Sequence, residues 1–210
     1  MPVSIPKLDE KFINNLDSYT LPEIAFHVAQ TLLGDDIPAA DLKAIIDDAI
    51  NFYAPIVELE ENVYVLELFH GPSLAFKDFG ARFMSRVMSY FLEEGEKQLD
   101  VLVATSGDTG SAVANGFYKV PGIKVFVLYP KGLVSDVQEK QFTTLGHNIT
   151  AIEVDGTFDD CQRMVKEAFM DAELNSKITL TSANSINLAR LLPQSVYYHF
   201  GVAQLMAKGK

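Results

Sequence analysis

The sequence predicts an α/β fold: a three-layer parallel sheet flanked by helices and preceded by N-terminal helices. Three observations carry that prediction. Short apolar runs recur at Val101–Thr105, Ile123–Tyr129, Ile149–Val154 and Ile178–Thr181, each followed by a helical pattern. Continuous apolar strands that alternate with amphipathic helices belong to a parallel sheet covered on both faces. The first 50 residues, by contrast, repeat their apolar positions at helical spacing. Finally, 48% of the 210 residues are apolar and 21% charged, enough for a packed core and against wholesale disorder.

Thr20-Leu21-Pro22-Glu23 is a capping box with proline in the first turn. It is followed by Ile24, Val28, Leu32 and Leu33, and Gly34 stops the pattern. Pro38 opens a second helix whose buried stripe is Leu42, Ile45, Ile46, Ala49 and Ile50. Val63–Phe69 is β-branched and aromatic and is ended by His70-Gly71-Pro72, which makes it a strand before a turn. Ser135-Asp136-Val137-Gln138 reads as a capping box for a helix closing at Leu145-Gly146. Thr157 with Asp159 and Asp160 opens another, with Phe158, Cys161, Val165 and Phe169 facing inward. From Asn184 to Ala207 a long helical pattern contains Pro193, where a kink is expected.

The 17 basic and 28 acidic side chains leave a net charge of -11. A surface that negative repels phosphate backbones and anionic lipid, which speaks against nucleic-acid and membrane partners. One cysteine, Cys161, excludes an internal disulfide framework and any multi-cysteine metal site. The four histidines show no ligand spacing, so no metal is expected. The start lacks a basic then apolar leader, and no apolar run approaches the ~20 residues needed to span a bilayer, so the expectation is a cytoplasmic globular chain.

In a parallel sheet, ligands collect beyond the carboxyl ends of the strands. Two such segments stand out. In Phe76-Lys77-Asp78-Phe79 a lysine sits between aromatic residues at a helix start. An apolar pocket and a positive helix terminus disfavour the ammonium form and suit a Schiff-base amine, while a lysine that snorkels past its neighbours is the equal alternative. In Ala104-Thr105-Ser106-Gly107-Asp108-Thr109-Gly110 a strand enters a helix through a glycine- and hydroxyl-rich turn, a potential anion cradle. It meets neither the dinucleotide nor the nucleoside-triphosphate fingerprint.

Taken together, Glu67–Gly80, Ala104–Gly110 and Thr181–Arg190 resemble, in order, the three motifs of the threonine synthase family. These are pyridoxal-phosphate enzymes of the tryptophan-synthase-β type, fold type II, and the likeness runs from about residue 20 to the end. The resemblance implies conversion of O-phospho-L-homoserine and water to L-threonine and phosphate, the last step of threonine biosynthesis. Lys77 would hold pyridoxal 5'-phosphate and move protons, and Asn184 or Asn187 would lie near the cofactor's 3-hydroxyl. Ser106, Gly107, Asp108 and Thr109 would hold the substrate carboxylate, and Ser185 and Arg190 the leaving phosphate. A fork-shaped guanidinium suits phosphate geometry, which supports Arg190 on physical grounds too; a surface ion pair is its plain alternative.

The resemblance further implies three parts. Residues 1–55 would be an N-terminal helical region, 56–76 a strand segment of an incomplete large domain, and 77–210 the small α/β cofactor-side domain. A second glycine-rich loop for the cofactor phosphate is expected of the family. Only Lys131-Gly132 and Asp155-Gly156-Thr157 remain as candidates, and neither has its pattern. The expectation is therefore an inactive, mostly cofactor-free fragment, a monomer or homodimer in solution. A serine or threonine dehydratase of the same class, or a non-catalytic metabolite-binding domain, are the other readings the residues allow.

Overall fold

The computed structural model describes residues 6–92, 98–183 and 187–210. The chain opens with α1 (Glu10–Ile13), capped by the Asp9 carboxylate, and a 3-10 turn at Leu16–Ser18. Helices α2 (Leu21–Leu33) and α3 (Ala39–Ala49) follow. At the start of α2 the Thr20 N–H donates to the Glu23 carboxylate at 2.7 Å, the return bond of a capping box, and the Thr20 hydroxyl donates to the same oxygen at 2.7 Å.

The strand expected at Val63–Phe69 is shorter and differently partnered. β2 (Val63–Leu66) forms an antiparallel hairpin with β1 (Ile56–Glu60), a strand the sequence pattern did not reveal. Its turn is built on Asn62 at φ 63°, a left-handed conformation that asparagine tolerates, so no glycine announces the hairpin.

The parallel sheet has the order β5-β4-β3-β6, from β3 (Leu99–Ala104), β4 (Ile123–Pro130), β5 (Ile149–Val154) and β6 (Thr179–Ser182). Helices α4 (Lys77–Phe91), α5 (Asp108–Phe117), α6 (Asp136–Thr143), α7 (Phe158–Met170) and α8 (Ala172–Lys177) connect and flank these strands. α5 and α7 both pack against β3 and β4. In α7 only Cys161 of the expected inward stripe is fully buried, and Phe169 is exposed. The last segment breaks where the proline predicts, into α9 (Leu188–Leu191) and α10 (Pro193–Ala207).

Two apolar cores meet on α4. Phe79, Phe83 and Val87, spaced one turn apart, pack with the N-terminal helices and with Val196, Tyr197 and Ala203 of α10. Met84, on another side of α4, joins the core beneath the sheet with Val101, Val125 and Phe117. α10 therefore closes onto the N-terminal helices, not onto the sheet, so the division at residue 77 does not separate the two cores. Arg82 strengthens the joint by donating to the Ala49 carbonyl at 2.8 Å and to the Asp48 carbonyl at 2.5 Å, acceptors that the end of α3 leaves open.

At α6 the expected capping box is replaced by a tertiary contact. Ser135 Oγ donates to Gln138 Oε1 at 3.0 Å and makes no bond to the helix backbone, while the amide nitrogen of Gln138 reaches Asp108.

The ring of Phe79 lies between Phe52 and Tyr197 and is fully buried, whereas Phe76 is 39% exposed. Phe79→Ala is expected to cost about 3–5 kcal/mol in urea unfolding and Phe76→Ala less than about 1 kcal/mol. Equal costs would contradict this packing.

Candidate functional site

The site is built where the N-termini of α4 and α5 converge beyond the ends of the strands. Ahead of α4, the loop 71–76 is folded around a buried carboxylate. Asp78 Oδ2 accepts from the Ser73 N–H at 2.9 Å, and Asp78 Oδ1 accepts from the Ser73 hydroxyl at 2.6 Å. The next residue back, Lys77, begins the helix and extends toward α5, its Nζ 3.4 Å from Asp108 Oδ2. Phe76 lies beside that amine, ring centroid at 5.5 Å, but Phe79 points into the helical core. The expected enclosure between two aromatic rings is thus corrected: one ring and one carboxylate face the amine. This follows from helix geometry, since residues two apart in a helix do not share a face.

The turn after β3 is organised by Thr105. Its hydroxyl oxygen accepts from the N–H groups of Gly107 at 3.0 Å and Gly110 at 2.8 Å, and donates to the Gly107 carbonyl. Gly107 has φ 148° and lies so close to the Gln138 amide that a Cβ would collide with it. The backbone conformation therefore favours glycine there, and a side chain would also push the Gln138 amide aside. Among the described residues, the N–H groups of Ser106, Asp108 and Thr109 have no protein acceptor. They form an N–H cluster at a helix start, disposed for a carboxylate or phosphate.

Beside this turn, at the ends of β3 and β6, lies a cavity of about 400 Å³ lined by Thr109, Ser182, Ala183, Gln162 and Lys166 among others. Arg190 approaches from α9. Its guanidinium is fully buried, donates from Nη1 to the Ala183 carbonyl at 2.6 Å, and has no partner for Nε or Nη2 among the described residues. Burial pushes it below its ordinary value. The surface ion pair considered for Arg190 is excluded by that burial. Gly80, one turn along α4 from Lys77, touches the Arg190 carbonyl closely enough that a side chain would not fit. Asn187 caps α9, its Oδ1 accepting from the Ala189 N–H at 2.9 Å. Asn184 and Ser185 lie outside the described residues.

The structure thus brings together Lys77, Asp108, Gly107 and the N–H groups of Ser106 and Thr109, with Arg190 nearby through α4. Gln138 was missed by sequence reasoning, which spent it on a cap. The visible signal was a second glutamine three residues on, Gln141, which donates to the Ser73 carbonyl at 3.3 Å. Asp78 was also passed over, although it stands next to the lysine. Lys131, of the Lys131-Gly132 loop, pairs with Glu153 on the surface. His70 pairs with Glu67 at 2.8 Å and faces a separate groove with Tyr19, Phe52 and Phe200.

Residues 51–191 match the family described as pyridoxal-phosphate dependent enzyme, and residues 1–50 match the threonine synthase N terminus. The chain belongs to the pyridoxal-phosphate dependent enzymes. It is 48% identical over 204 residues to the threonine synthase of Haemophilus influenzae, covering 97% of this chain and 47% of the relative. It is 51% identical over 178 residues to that of Escherichia coli, covering 85% and 41%. The pyridoxal-phosphate-bound threonine synthase structure from Brucella melitensis superposes with a TM-score of 0.91 at 38% identity, over 100% of this chain and 47% of that one. The chain spans about half the length of the curated relatives it matches, and the likeness begins at residue 1, earlier than the motifs indicated.

Pyridoxal phosphate is the cofactor of this family. The residues present fit it. The family's chemistry needs an amine with anion-binding groups beside it, and Lys77 Nζ stands 3.4 Å from Asp108 at the start of α5, where the N–H groups of residues 106, 108 and 109 have no acceptor among the described residues.

Burial raises the Asp78 carboxyl above its ordinary value of 3.8, against the lowering by its two Ser73 bonds. A folded value above the unfolded one contributes stability that is complete below the unfolded value and lost as pH rises through the folded one. Urea unfolding at successive pH values should therefore show wild type losing ground to Asp78→Asn as pH climbs from 3.8. A difference that moves the other way, or not at all, contradicts the buried carboxylate.

Proposed function

We propose that the whole protein is a threonine synthase that converts O-phospho-L-homoserine and water to L-threonine and phosphate, with this chain supplying the lysine and the substrate-holding turn. The observation that carries the reading is the meeting of Lys77 with the strand-end turn, Nζ to Asp108 Oδ2 at 3.4 Å. When bound, pyridoxal phosphate supplies an electron sink for charge developing at the carbons of the substrate.

The chain's own residues do the rest. Lys77 provides the amine that holds the cofactor and, from the same place, a base to move protons at the substrate's Cα and Cβ. The N–H groups of Ser106, Asp108 and Thr109, with Gly107 clearing the approach, hold the substrate carboxylate. Among the described residues Arg190 Nε and Nη2 have no partner, and a phosphate reaching them in this low-dielectric setting would satisfy both. That unmet demand favours a phosphorylated substrate over serine or threonine. Ser185 would join this grip, and Asn184 or the amide nitrogen of Asn187 would serve the cofactor.

The hairpin supports the assignment of residues 56–76 to a larger unit. Val57, Leu59, Val63 and Val65 are all exposed on it, an apolar face of the kind that a further segment covers. Relatives about twice as long have chain to spare for it.

Incubation of the whole protein with pyridoxal phosphate, reduction with cyanoborohydride and peptide mapping test the reading. The adduct is expected on Lys77 and to be lost in Lys77→Arg, with other lysines labelled only in proportion to exposure. A pattern in which Lys77 is no more labelled than Lys43 or Lys177 would overturn it.

A further inference from the structure

Asp108 is an acidic residue in the first turn of α5, directly beside N–H groups that have no acceptor among the described residues. A carboxylate at the first helical position, just after the Gly107 N-cap, is attracted to those N–H groups by the positive helix start. Here none of them donates to it. Gln138 Nε2 donates to Asp108 Oδ1, and Asp108 Oδ2 faces Lys77 Nζ, so both oxygens are drawn away from the turn. The orientation of the Gln138 amide is itself fixed. Its Oε1 accepts from Ser135 Oγ at 3.0 Å, and a carboxylate offers only acceptors, so the nitrogen end must face Asp108. Gly107 closes against the same amide, and Ser111 Oγ lies 3.3 Å from the Gln138 carbonyl, which binds α6 to α5 at this point. One turn on, Gln141 holds the Ser73 carbonyl of the lysine loop.

We propose that Gln138 is a positioning residue that holds the Asp108 carboxylate over Lys77 and so keeps the N–H groups of Ser106, Asp108 and Thr109 open for the carboxylate of an amino-acid substrate. The inference deepens the proposed function and rests on it for the identity of the ligand. Without the amide, Asp108 is free to rotate onto its own helix start. The site would then be occupied by an internal carboxylate, and an incoming one would meet both a filled cluster and a like charge.

The test needs neither cofactor nor substrate, so its failure is separable from failure of Lys77 labelling. Amide ¹H–¹⁵N spectra and hydrogen exchange of the 210-residue chain are compared for wild type, Gln138→Leu and Gln138→Glu at pH 5 and pH 8. In Gln138→Leu the amides of residues 106, 108 and 109 should shift downfield and exchange on the order of tenfold more slowly, as a bond to a charged acceptor forms. In Gln138→Glu the same change should appear at pH 8, where two carboxylates repel. It should recede at pH 5, where two facing carboxylates share one proton and the protonated Glu can donate to Asp108 as the glutamine did. Adding Asp108→Ala to Gln138→Leu should abolish the change. Folded variants whose three amides match wild type at both pH values overturn the proposal. So does a change in Gln138→Glu that is the same at both pH values, because a merely structural loss would not follow the proton.

Discussion

The pairing of Lys77 with Asp108 across two helix N-termini is the constraint on which the rest of the site depends. Neither residue reaches the other by local preference; their helices must be brought to one end of the sheet at the right distance. That placement comes from close packing of α4 on α5. The Ser85 hydroxyl donates to the Gly116 carbonyl at 2.6 Å, and Gly116 has no side chain where Ala81 approaches. On the opposite side, Phe79 anchors α4 in the helical core. The pair itself, with side chains 23% and 46% exposed, contributes at most about 1 kcal/mol to stability. The fold holds the pair in place, and the pair does little to hold the fold.

Polar groups around this constraint divide into satisfied and unsatisfied sets, and the division marks function. Thr105, Ser73 and Asp78 use their hydrogen-bonding capacity within the chain, and they shape the two loops. Among the described residues, the N–H groups of residues 106, 108 and 109 and two donors of Arg190 find no acceptor. Buried or half-buried donors without acceptors are costly, so a fold retains them where a ligand supplies the acceptor. The unused groups of residues 106, 108, 109 and 190 are donors, beside one unused acceptor at Gln141 Oε1, and the donors match an anionic substrate in a protein of net charge -11.

Much of this was legible in the sequence because it was local. The four sheet strands follow from β-branched runs, and α2 and α7 from their capping boxes, whose donors and acceptors lie three residues apart. The hairpin partner Ile56–Glu60 was not legible, since its glutamates weaken the strand signal and Asn62 replaces the usual glycine turn. Phe79 and Lys77 looked like neighbours in one pocket, yet two residues of helix turn them to different faces. Gln138 carried a correct local signature and took a different partner, because the Asp108 carboxylate, 30 residues earlier in sequence, outcompetes its own helix start. Long-range contacts of that kind are settled by tertiary packing, which no window of sequence contains.

The central geometry can be read directly by zero-length coupling with a water-soluble carbodiimide, which joins an amine to a carboxylate only where the two are already in contact. Peptide mapping should find an amide between Lys77 and Asp108, alongside those of the exposed pairs Lys43–Asp47 and Lys177–Glu173, both at 2.6 Å, which serve as internal standards. Recovery of the two standards without any Lys77–Asp108 product, or with Lys77 joined to a different carboxylate, would contradict the account.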